Sequence, residues 1–138
     1  MANYTILKAI FQNDSIPDTL IASIDGEKVQ DLSQFYETLG KIFKFPDYAE
    51  NNLDSFDELI NDLEWLNEEE ILIILKNYDL LLSEESLETK EVILSIFDDA
   101  AEEWKHRDDV QKNIKILIEP SEEAIEDLSE IGIEFEEQ

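Results

Sequence analysis

A small α/β domain, with three parallel strands packed against helices, is the architecture this sequence implies. Three apolar runs of strand length, TLIASID from Thr19, ILIIL from Ile71 and IKILI from Ile114, lie far apart along the chain. Apolar residues at helical spacing fill the stretches between them. Strands joined through long helical segments pair in parallel, with right-handed crossovers. The length of 138 residues suits one domain spanning 1–138. An apolar content of 43% is enough for a core despite a formal net charge of −26, so the chain is not a disordered acidic tail.

The N-terminal run YTILKAIF suits a short helix or a strand, and QNDSIPD after it reads as a loop. TLIASIDG, from Thr19 to Gly26, is β-branched and ends in an Asp-Gly turn signal, which predicts a strand. Asp31 with Gln34 forms a capping box. Leu32, Phe35, Tyr36, Leu39, Ile42 and Phe43 follow at helical spacing, and Pro46 stops that helix. A second helix starts at Asn51 or Asn52. At about 100° per residue, Leu53, Phe56, Leu59, Ile60 and Leu63 form its apolar arc; Asp54, Asp57, Glu58, Asn61 and Asp62 form the opposite one.

ILIIL lacks alternation, which predicts a strand buried on both faces. SEESLETKEVILSIFDDAAEEWK reads as a long helix capped at Ser83 or Ser86, with Ile93, Phe97, Ala100, Ala101 and Trp104 facing inward. IKILI is the third strand. PSEEAIEDLSEIG then predicts a short last helix, with Pro120 at its start and Gly132 at its end.

Composition narrows the function. So negative a surface disfavours nucleic acid and anionic membranes and favours cationic partners. The absence of cysteine excludes thiol chemistry and fits a reducing, cytoplasmic setting. The start MANYTILKAIFQND is a poor signal peptide, and no apolar run approaches the roughly 20 residues a membrane span requires. No EF-hand loop, P-loop, His-Glu motif or nucleophile elbow is present, so no cofactor, metal or catalytic role is expected. His106, the sole histidine, reads as a surface residue near a helix end; Trp65 and Trp104 read as packing residues, with Trp65 also a possible rim contact.

One stretch stands apart. Between Lys44 and Lys76 there are ten acidic residues and no lysine or arginine. Charge runs are usually plain solvated surface. A clean acidic face with no local bases is also what a protein needs when the compensating charge resides on another molecule.

The segment IDGEKVQDLSQFYETLGKIFKFPDYAENNLDSFDELINDL resembles the N-terminal half of barstar-like ribonuclease (barnase) inhibitors. The shared pattern is a strand ending in a Gly turn, a helix, Pro-acid-Tyr, Asn-x-Asp, then an acidic and apolar helix. The likeness covers about 19–118, leaving an N-terminal extension 1–18 and an acidic C-terminal helix or tail 119–138. It implies a cytosolic inhibitor that plugs a ribonuclease active site, free as a monomer and acting one-to-one. It also implies partner-binding roles. Tyr48 matches a loop tyrosine, Asp54 the first inhibitory aspartate, and Glu58 the second, which is aspartate in the best-known member. Asp99 and Glu103 match flanking acids on the later helix. Asp57 replaces an aromatic residue of that member, and Asp62 with Leu63 replaces a Gly-Trp pair. The proposed binding set is therefore Tyr48, Asn52, Asp54, Asp57, Glu58, Asn61, Asp62, Asp99 and Glu103.

The physical logic holds without the resemblance. A ribonuclease site must stabilise phosphate charge, so it is lined with cationic side chains. Carboxylates on a rigid helix can stand in for phosphates and form charge-assisted bonds to arginine. The alternative is an acidic module, or a mimic of nucleic acid, for some other basic protein or toxin.

Overall fold

The computed structural model describes residues 2–12, 15–108 and 112–138. Asn13 and Asp14 of the expected loop lie outside them. The strands are β1 (Tyr4–Ile6), β2 (Thr19–Asp25), β3 (Glu70–Lys76), β4 (Asn113–Ile118) and β5 (Phe135–Glu137). The helices are α1 (Leu32–Ile42), α2 (Leu53–Ile60), α3 (Leu87–Lys105) and α4 (Glu122–Ile131), with a 3-10 turn at Tyr78–Leu80.

The three expected strands are present as β2, β3 and β4, but the sheet has five strands, in the order β2-β3-β4-β1-β5, all parallel. The two additional strands come from the ends of the chain, outside the family-like core. Each is only three residues long, too short to carry a periodicity. β1 is specified by what it packs into: Tyr4 pairs with Ile116 on one side and Phe135 on the other. Its ring is fully buried, and its hydroxyl donates to the Leu94 carbonyl at 2.7 Å. β5 is an edge strand with Glu136 and Glu137 exposed, and charge on an edge discourages further pairing.

The central elements follow their local chemistry. Asp31 caps α1 by accepting from the Gln34 amide at 2.8 Å. Gln34 returns the contact one residue further out than a capping box requires, accepting from the Gln30 amide at 2.8 Å. α1 ends before Pro46 is reached. Lys44 takes a left-handed conformation (φ 55°), and the Phe45 amide donates back to the Gly40 carbonyl at 3.0 Å, a Schellman closure. Gly26 is required at the turn after β2, because a side chain there would overlap the Asn77 carbonyl.

The side of the sheet carrying α1, α2 and α3 is joined by aromatic rings. Phe56 meets Phe35 edge-on at 5.1 Å and Phe97 at 5.9 Å, arrangements that add specific attraction to simple burial. Trp104 donates to the Ile60 carbonyl at 3.0 Å, tying the end of α2 to α3. Trp65 donates to the Phe43 carbonyl at 2.8 Å. Both indoles therefore hold α2 and its flanks in place, and α2 is presented as a fixed body.

Candidate functional site: an acidic cleft beside helix α2

α2 is short, and both of its ends are closed by side chains. Asn52 is the N-cap; its oxygen accepts from the Ser55 amide at 2.7 Å. Its amide nitrogen donates to Glu50 at 3.1 Å, while the Glu50 backbone amide donates to the Ser55 hydroxyl at 3.0 Å. At the other end, Asn61 donates to the Asp57 carbonyl at 2.8 Å and to the Asp57 carboxylate at 3.1 Å. The helix stops at Ile60, and Leu63, expected on the helical arc, is instead buried with a left-handed backbone (φ 48°). That turn brings the chain back towards the sheet and leaves Asp62 beside the helix.

Phe56, Leu59 and Ile60 are buried; Asp54, Asp57 and Glu58 are exposed. The expected residues divide into two groups. Tyr48, Asn52, Asp54, Glu58 and Asp62 line one open cleft of about 470 Å³. Glu50, Ser55 and Leu59 complete its walls. These three were not anticipated. Glu50 lies within the base-free stretch, and its position two residues before the cap was the available signal. Tyr48 projects into solvent, 70% exposed. Asp57 and Asn61 do not line this cleft; Asp57 lies on the flank whose field reaches Asp99 of α3, and Asn61 is bonded to Asp57.

Asp99 and Glu103 of α3 are both exposed. The Asp99 carboxyl is held above the usual aspartate range, first by partial desolvation, then by repulsion from Asp98, Asp57 and Glu103. The field of Asp57 at Asp99 shows that the acidic surface runs from α2 onto α3. Among the described residues, no lysine, arginine or histidine lies within ion-pair distance of Asp54, Asp57, Glu58, Asp62, Asp99 or Glu103.

Scarce bases are used elsewhere. Lys90 is buried, donating to the Tyr78 carbonyl at 3.0 Å and to Glu123 at 3.4 Å, with its ammonium 3.8 Å from the Tyr78 ring centre. Lys112 is also buried and donates to the carbonyls of Leu66 (3.0 Å) and Glu68 (2.7 Å); desolvation pulls its pKa down. Lys105 and His106 both approach Glu102. Arg107 stacks on the Trp104 ring at 4.1 Å.

A parallel sheet bearing a rigid helix, with uncompensated carboxylates around a cleft and a solvent-facing tyrosine, defines a small acidic α/β protein with a surface suited to cations. The Barstar (barnase inhibitor) family matches residues 19–119, and the chain belongs to that family. It is a family of inhibitors rather than catalysts, and membership implies a protein partner. A comparison with curated proteins finds no match. Among solved structures, the chain is similar to the ORC2 protein of Aeropyrum pernix in its ADP form, with 14% identity and a TM-score of 0.61. The match covers 99% of this chain but only 42% of that one, and at this identity it shows the fold alone.

Proposed function

We propose that this protein inhibits a basic ribonuclease by seating the α2 carboxylates in the enzyme's phosphate-binding site, one-to-one, as a cytoplasmic monomer that protects the cell producing the enzyme. The observation that carries this reading is the convergence of Tyr48, Asp54, Glu58 and Asp62 on one cleft, with no base among the described residues within ion-pair distance of these carboxylates. Asp54 and Glu58 stand one turn apart on a helix fixed at both ends, so little ordering is required on binding. Arginine and lysine lining a ribonuclease site would replace the missing counter-charges. Tyr48 offers a rigid amphipathic contact at the rim, a residue type favoured in interfaces. Asp57, Asp99 and Glu103 extend the negative field along the adjoining flank and steer approach, while Asn52 and Asn61 hold the helix ends.

The test is inhibition of a panel of basic bacterial ribonucleases, with deoxyribonucleases as controls. Asp54→Asn and Glu58→Gln should each raise the inhibition constant about ten- to a hundredfold, the equivalent of losing a charge-assisted bond of about 1.5–3 kcal/mol. Neither should lower the melting temperature of the free protein. Variants that unfold the chain yet inhibit normally when folded would overturn the assignment.

A further inference from the structure

A second concavity adjoins the acidic cleft and differs from it in chemistry. It lies between α1 and the loop leading to α2, holds about 290 Å³, and is walled by Tyr36, Phe45, Ala49 and Phe56, with Lys41 also lining it and paired to Glu37 at 3.1 Å. Glu50 and Leu59 line both hollows, so the two share a wall. Its volume falls just below the roughly 300–1,000 Å³ of small-molecule pockets and suits a single side chain.

Gly40 supplies the independent observation. It lies in α1 and lines this groove. Its φ is not left-handed, and a Cβ added there would meet nothing within 4 Å. Neither the backbone nor the packing therefore requires glycine, which is unfavourable in a helix relative to alanine. What a side chain at this position would do is fill the groove.

We propose that the groove seats an aromatic side chain of the same cationic protein whose basic residues occupy the acidic cleft, and that Gly40 keeps it open. The inference rests on reading the acidic cleft as a binding face for a basic protein. Aromatic walls favour an aromatic guest through edge-on and offset contacts. The shared wall at Glu50 and Leu59 means that a partner placing a cation in one hollow has its neighbouring side chain over the other. The groove thus selects among basic partners, which the carboxylates alone attract with little discrimination.

The experiment uses two defined probes, acetyl-Arg-Gly-Phe-amide and acetyl-Arg-Gly-Ala-amide, titrated into the full chain and followed by amide chemical shifts. The Phe probe should bind about fivefold tighter, with shifts at Gly40 and Ala49 that the Ala probe does not cause. Gly40→Leu should abolish this advantage while the arginine-dependent shifts at Asp54 and Glu58 persist. Gly40→Ala should melt no lower than wild type and reduce the advantage, and it decides the matter if Gly40→Leu does not fold. Equal affinities, an advantage untouched by either substitution, or no binding of either probe would overturn the groove assignment. The ribonuclease panel separates the two readings. Inhibition unaffected by Gly40→Leu removes the groove and leaves the inhibitor; no inhibition removes the ribonuclease reading and leaves the groove to the probes.

Discussion

Asp99 shows how a single side chain registers the charge of its surroundings. Partial desolvation and the fields of Asp98, Asp57 and Glu103 raise its pKa in the folded chain. The folded state then holds this proton more tightly than the unfolded state. The contribution to stability is favourable at low pH and is lost as pH climbs from the ordinary value of 3.8 through the raised folded value. Asp99→Asn should therefore raise the melting temperature at pH 7, and the gain should shrink to nothing below pH 3.8. Thermal unfolding across this range checks it; a gain independent of pH would mean that the charge of Asp99 is not the cause. The residue types of the cleft were readable from spacing alone, since Asp54 and Glu58 lie one turn apart on the polar arc. The split of the acidic face was not. Asp57 is turned to α3 because Phe56 and Ile60 beside it are drawn into the core, and that orientation depends on where α3 lies.

Helix α2 is eight residues long, too short to be stable alone in water. Its persistence depends on its caps and on the aromatic contacts beneath it. Asn52→Ala removes the side-chain acceptor of the Ser55 amide and should cost about 1 kcal/mol, measured by urea unfolding. Because Asn52 also holds Glu50, the same variant should weaken inhibition more than its small effect on stability would suggest. Equal stability to wild type would show that the cap is dispensable. The start of this helix was legible in the sequence, since the Asn cap and the apolar arc are local signals. Its end was not: the arc predicted helix through Leu63, but Asn61 caps the chain and Leu63 enters the core in a left-handed conformation, a choice made by packing against the sheet.

Across the molecule, thirty-six acidic residues face ten lysines and arginines, and two of those lysines point inward. Self-repulsion should therefore be a general load on the free protein. Raising NaCl from about 0.01 to 0.15 M shortens the screening length from about 30 to 8 Å. The melting temperature should rise over that range, while association with a basic ribonuclease slows. A melting temperature that stays flat or falls would show that repulsion does not limit the free state. Charge of this magnitude favours cationic partners in general.

The order of amino acids was sufficient for β2, β3 and β4, for the cap at Asp31, for the acidic arc of α2 and for the family resemblance; it narrowed the caps of α2 and α3 to Asn51 or Asn52 and Ser83 or Ser86, of which the structure uses Asn52 and Ser86. Each is written in local periodicity or in residues close along the chain. Contacts between distant segments settled the rest: the insertion of β1 between β4 and β5, the meeting of Tyr48 with Asp62 around one cleft, and the open groove beside Gly40. Three-residue strands and the relative placement of helices have no local signature, because their free energy comes from side chains such as Tyr4 and Trp104 reaching partners far away in sequence.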